Sequence, residues 1–193
     1  MARAGYSLVE LLLVTALIGT VSAVAMPGIL ATVDESRAIG AARYLSTRLQ
    51  QARMEAIARS ADVGIKFAEE ASQYSYTTYV DGNGNGVRTS EILRAVDPPL
   101  RPAERLRDLF YGVDFGVLPG LPPVEPGGAP PGDNPVKLGA ANILTFTPAG
   151  TSSSGSLYIL GRKGTQYVIR IFGASGKTRV LKFDPRLRHW KPL

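Results

Sequence analysis

The chain has 193 residues, 22 Lys and Arg against 16 Asp and Glu, a net charge of +6, one histidine and no cysteine. Without cysteine there is no disulfide framework and no thiolate metal site. A single histidine excludes a His cluster for metal binding. The charge is uneven: residues 161–193 hold nine Lys and Arg against Asp184 alone, and the rest of the chain is slightly acidic.

The first element is apolar from Leu8 to Met26 apart from Glu10. Such a run of about 19 residues is just long enough to span a bilayer once as a helix. A carboxylate deep in a membrane costs about 2.5–3.5 kcal/mol, so Glu10 calls for a partner and a role. No cation lies within a helical turn of it, but the free α-amino group of a neighbouring copy would serve. An ordinary secretory signal is the competing reading, because Ala23-Val24-Ala25 is an A-x-A pattern that would leave a mature chain starting at Met26. A signal core has no reason to carry Glu10.

The helical pattern continues beyond Pro27, which removes one helix hydrogen bond and can kink or unwind the chain. Ala38, Ala42, Leu45, Leu49, Ala52 and Ala56 recur at steps of four and three, forming one stripe of mostly small residues. That stripe predicts close packing on a β-sheet. The helix is expected to end near Ser60-Ala61-Asp62.

Strand patterns follow. Val63, Ile65 and Phe67 alternate with Gly64 and Lys66, and Tyr74 to Val80 is rich in β-formers. The run Asp81-Gly82-Asn83-Gly84-Asn85-Gly86 predicts a turn, with a return strand over Ile92 to Val96 and a further candidate at Val113 to Val117. Residues 118–135 contain seven of the fourteen prolines and predict a long, exposed, irregular loop. A terminal all-β unit is predicted over Ile143–Thr147, Leu157–Leu160, Gln166–Phe172 and Thr178–Phe183. The fold class is α+β: one long N-terminal helix, membrane-spanning in its first half, packed on antiparallel β-sheets.

Four features invite chemistry. Asp81, Asn83 and Asn85, with Gly86 at the sixth position, match the start of an EF-hand calcium loop. The twelfth position is Ile92, and Glu91 falls one residue early. The competing reading is a glycine-rich turn in which Asn tolerates positive φ. The basic end (Lys177, Arg179, Lys182, Arg186, Arg188, Lys191), with Trp190 to stack, has the ingredients of an anion or DNA site, or is a solvated basic tail. His189 has no orienting carboxylate near it in sequence and makes a poor general base. Gly176-Lys177-Thr178 lacks the glycine spacing of a P-loop. The sequence therefore predicts no enzyme and no cofactor, with calcium as the one weak candidate.

The N-terminus closely resembles that of type IV pilin-like proteins, whose short basic leader ends in Gly before an apolar helix with Glu at the fifth mature position. Here Met1 to Gly5 is the leader-like stretch and Tyr6-Ser7-Leu8-Val9-Glu10 the mature-like start. The resemblance implies cleavage after Gly5 by prepilin peptidase and N-methylation of Tyr6. Further along, Gln51-Ala52-Arg53-Met54-Glu55-Ala56-Ile57, Val63-Gly64-Ile65, Thr145-Phe146-Thr147-Pro148-Ala149-Gly150-Thr151 and Gly176-Lys177-Thr178-Arg179 are similar to segments of the GspH/FimT family, with Lys177 where Arg is usual. The order and spacing of these segments carry the likeness, and the Pro-rich insertion departs from it.

The implied layout is a leader (1–5), a transmembrane and filament-core helix (6–27), its amphipathic continuation (28–61) and an extracytoplasmic β-rich domain (62–193). The implied function is a minor pseudopilin of the type II secretion pseudopilus, acting in filament assembly and protein secretion. The alternative is a FimT-like minor pilin of a type IV pilus that binds DNA through its basic end. The implied partners are other pseudopilins or minor pilins, the peptidase and an inner-membrane assembly platform. The implied location is single-pass in the inner membrane with a periplasmic domain.

Overall fold

In the computed structural model the backbone is described for residues 7–193, and side-chain surroundings for all of these except 24, 27 and 29–31. One helix, α1 (Leu8–Arg59), comes first. Ser7 caps it by accepting the Val9 N–H, and Ser60 ends it in the left-handed region (φ 52°), its N–H returning to the Ala56 and Ile57 carbonyls. This is the closing geometry that satisfies the last turn's carbonyls. The helix runs through Pro27 without interruption in its assignment.

Among the described residues no helix is long and apolar enough to cross a membrane. The first part of α1, from Leu8 to Ala23, carries mostly apolar side chains. Its large apolar side chains are exposed, from 74% at Leu8 to 46% at Val14.

The second half of α1 meets two antiparallel sheets. The first has the order β2-β1-β5, from β1 (Val63–Glu70), β2 (Gln73–Val80) and β5 (Ile143–Phe146). The second has the order β3-β6-β7-β8-β9, from β3 (Asp114–Phe115), β6 (Gly155–Leu160), β7 (Gln166–Phe172), β8 (Lys177–Asp184) and β9 (His189–Pro192), with β4 (Val136–Lys137) also on β6. The six predicted stripe residues are all buried, and Ala41 joins them. Alanines bring helix and sheet backbones close, and Leu45 and Leu49 reach into the layer formed by Ile65, Phe67, Leu144, Phe146, Leu157, Ile159, Ile169 and Ile171. Asp34 adds a polar tie, its Oδ2 accepting the Lys163 N–H at 2.9 Å from the β6–β7 turn.

Four local expectations change. Ile92–Val96 is not a strand: the chain forms a short helix, α2 (Thr89–Leu93), then turns through Ala95 at φ 56°. Positions 99 and 104 bridge to the β2 edge instead, opposite Tyr79 and Tyr76. A second short helix, α3 (Leu106–Leu109), precedes β3.

The basic end is no tail. It folds back as β9, so β8 is internal to the sheet. The Pro-rich loop is only partly exposed. Leu121 is buried against Tyr158, Val168 and Leu181, with Val117, Leu118, Val124, Phe183 and Trp190 around them. The second sheet is thus covered by α1 on one face and by this strap on the other. In the glycine-rich loop, Gly84 and Gly86 take the positive φ values, 80° and 87°, rather than the asparagines.

Candidate assembly helix and basic surface

The N-terminal half of α1 presents Glu10 in its first turn among exposed Leu8, Val9, Leu11, Leu12 and Leu13. A contiguous apolar surface of this kind demands a cover of lipid or of partner helices. Gly5 and Tyr6, the processing residues, lie outside the described residues.

The basic residues do not share one face. Along β8, Thr178, Val180 and Lys182 face α1. Thr178 meets Ser46 and Gln50, Val180 packs on the main core, and Lys182 pairs with Glu35 of the helix. The opposite face carries Lys177, Arg179 and Leu181. Lys191, across from Lys182, pairs with Asp184 at 2.6 Å. Arg188 donates to the Gly120 carbonyl of the strap at 2.9 Å, and Arg186 is exposed at the hairpin turn.

Trp190 is not free to stack on a base. Its ring packs on Phe183 and Tyr158, and its Nε1 donates to the Pro122 carbonyl. The outer face instead groups Lys177 and Arg179 with Arg170, which lies opposite Arg179 in register. Exposed Phe172 lies beneath the Arg170 guanidinium, whose carbon is 5.9 Å from the ring centroid. That is within the reach of about 6 Å over which a ring attracts a cation. Arg170 also pairs with Glu125 of the strap at 2.8 Å. Neither Arg170 nor Phe172 stood out in the sequence, because only strand pairing brings them beside Arg179.

His189 is exposed on β9 directly across from Asp184. That carboxylate is already committed. The Lys191 ammonium, followed by the Leu187 and Arg186 N–H groups, holds it down to about 2. Asp184 is therefore not free to orient His189.

In the glycine-rich loop, Asp81 accepts N–H bonds from Asn83, Gly84 and Gly86. Burial alone would raise its carboxyl, but the backbone N–H groups outweigh this and hold it below the ordinary value. Glu91 accepts from the side-chain amides of Asn83 at 3.1 Å and Asn85 at 2.9 Å. Those amides, Asn85 first, hold its carboxyl below the ordinary value. Fully buried Asp97, unmarked in the sequence, fastens the base of the loop by accepting from Gly82 and Arg88 N–H. Among the described residues no group of three or more His, Cys, Asp or Glu is placed to hold a metal ion.

The family model described as Type II transport protein GspH matches residues 41–175. That stretch is most of the chain and takes in the second half of α1 and both sheets up to β7. The chain belongs to the GspH family. A GspH-family chain with this α+β fold is a pilin-like structural subunit. It is similar to the Pilin-like protein PilA1 of Thermus thermophilus, with 39% identity over 85 residues, 44% of this chain and 53% of that protein. The chain thus spans about half the length of that curated relative. Among solved structures it is similar to the minor pseudopilin EpsH from the Type 2 Secretion System of Vibrio cholerae, at 15% identity and a TM-score of 0.47, over 76% of this chain and 97% of EpsH. A second EpsH structure gives the same identity and score over 75% and 93%.

Proposed function

We propose that this GspH-family subunit is a minor pseudopilin of the type II secretion pseudopilus, acting in filament assembly and protein secretion. One observation carries the reading: α1 is divided between an apolar half that nothing among the described residues covers, with Glu10 near its start, and a half fused to the sheets. The bare half suits a bilayer before assembly and a bundle of like helices afterwards. There the Glu10 carboxylate would pair with the α-amino group of Tyr6 on an adjacent subunit, following cleavage after Gly5 and N-methylation of Tyr6. On this reading the subunit sits single-pass in the inner membrane with its β-rich domain in the periplasm. Its partners are the peptidase, the assembly platform and other pseudopilins.

Glu10→Ala tests the proposal. The variant is expected to fold and stay in the membrane but to lose co-purification with the other pseudopilins. Wild-type co-purification would sink it. Intact mass of the membrane-extracted protein adds a second check: a chain beginning at N-methylated Tyr6 is expected, and one beginning at Met26 would support the secretory-signal reading instead.

A second reading, a FimT-like minor pilin that takes up DNA, is favoured by the outer-face group of Arg170, Lys177, Arg179 and exposed Phe172. Cations beside an aromatic suit a phosphate backbone and its bases. The engagement of Lys182, Lys191 and Arg188 within the chain weakens it, and the pseudopilin reading is preferred.

A further inference from the structure

We propose that the loop from Asp81 to Glu91 is a calcium site. The sequence pattern alone leaves this open, since Glu91 comes one residue before the EF-hand's closing acid. The fold supplies the missing argument. Glu91 sits at the start of α2, is only 6% exposed, and points its carboxylate into the loop, where Oε1 meets both asparagine amides. Its second oxygen, Oε2, is shut off from solvent and has no hydrogen-bond partner among the described residues. A buried carboxylate oxygen without a partner is costly and calls for a reason. A cation at the centre of the loop is that reason.

The donors around this point are all oxygens or convertible to oxygens. Asp81 offers a carboxylate whose orientation is fixed by three backbone N–H bonds. Asn83 and Asn85 converge on Glu91. A half-turn of each side-chain amide puts an oxygen where a nitrogen now stands, at little steric cost. The repulsion this would create against Glu91 is removed by a cation between them. The EF-hand pattern takes its next ligand from the carbonyl at the seventh position, here Val87. Two carboxylates and two amides, with a carbonyl and water to complete the shell, form a hard-oxygen set that suits calcium.

The glycines fit the same picture. Gly84 and Gly86 carry the positive φ that wraps the loop around a point, which leaves both asparagines in ordinary conformations. Asp62 lies beside the loop near Gly86, its Oδ2 at van der Waals distance from where a Cβ would be, and is not placed as a ligand. The loop therefore gathers negative charge at the end of α1 and β2. No like arrangement is needed for a simple hairpin turn.

The test uses the full-length chain in detergent, stripped with EGTA and then titrated with calcium chloride while thermal unfolding is followed. The wild type is expected to gain several degrees in Tm at calcium of about 1 mM, the range in which extracellular loops bind. Magnesium at the same concentration is expected to do far less. Glu91→Gln should lose the calcium response. Asn85→Asp, which adds a charge without removing a donor, should move the titration midpoint to lower calcium, and it decides the matter if Glu91→Gln fails to fold. An unchanged wild-type Tm, an equal response to magnesium, or an unshifted midpoint in Asn85→Asp would overturn the assignment.

Discussion

Arg48 of α1 and Glu104, in the segment that follows α2, form an ion pair that joins the helix to the edge of the first sheet. Glu104 also accepts from the Tyr44 hydroxyl at 2.8 Å and the Tyr76 hydroxyl at 3.1 Å. Its own backbone exchanges N–H and carbonyl with Tyr76, both at 2.9 Å. One carboxylate thus gathers a guanidinium and two phenols from two elements.

Replacing Glu104 with Ala should therefore cost more than an ordinary surface pair. Both partners are about one-fifth exposed, so solvent screening trims the charge contribution. A loss of about 2 kcal/mol is expected from the stranded phenols and guanidinium, lowering Tm by about 4–8 °C. Thermal unfolding of the purified chain measures it. A drop within a degree of wild type would mean that the hub adds nothing to holding α1 in place.

Tyr167 should behave in the opposite sense. It is fully buried between α1 and the second sheet, and its hydroxyl has no hydrogen-bond partner among the described residues. Tyr167→Phe removes that hydroxyl and leaves the ring. Stability is expected to stay level or rise by about 1 kcal/mol, the penalty of an orphaned polar group being relieved. A clear loss in denaturant titration would reveal a partner for the hydroxyl, such as an internal water.

Alkaline pH should unfold the domain through its tyrosines. Burial, with the Glu69 carboxylate second, pushes Tyr74 up to about 12. Burial, with the Glu35 charge second, does the same for Tyr167, and Tyr76 is raised further. In the unfolded chain these phenols ionise near 10. The stability held by their neutral forms is thus complete below about pH 10 and is lost as pH climbs toward 12. Phenolate absorbance should show the Tyr74, Tyr76 and Tyr167 rings ionising only with loss of structure. Ionisation of these three rings near 10 in a still-folded chain would contradict these environments.

The basic surface separates the two functional readings. If it binds DNA, Lys177→Glu with Arg179→Glu should abolish binding. Lys182→Glu should leave binding unchanged, because that residue faces α1 and Glu35. Three phosphate contacts, from Arg170, Lys177 and Arg179, would give a log–log salt slope of about −2.7. Absence of duplex binding even at low salt would leave the subunit without this role.

Much of the fold was legible because periodicity reports burial directly. The stripe from Ala38 to Ala56 and the alternation of Val63, Ile65 and Phe67 have no other physical cause. The misplaced elements share a reason too. Arg186, Arg188, His189 and Lys191 read as a loose tail because polar and charged side chains crowd the C-terminal segment, yet strand pairing and Trp190 hold that exposed segment on the sheet. The strap lacks any period, since proline-rich chain packs through single residues such as Leu121. Ile92 to Val96 has strand composition, but the demands of Asp97 on Gly82 and Arg88 curl the chain. For the basic surface, sequence singled out Lys177 and Arg179 but not Arg170, and it did not tell which face each charge would take. The Glu104 hub had no sequence signal, since its partners lie 28, 56 and 60 positions away.

The continuity of α1 has a mechanical consequence. Its 52 residues form a rod about 78 Å long at 1.5 Å per residue. The alanine stripe sets the rod so close to the sheets that neither rolling nor sliding is free, while Asp34 and Glu104 pin it near two separate levels. A push or pull on the sheet-bound part of the helix, from Asp34 onward, is therefore passed to the globular end without slack. Whatever the β-rich domain touches will be displaced in step with the helix beneath it.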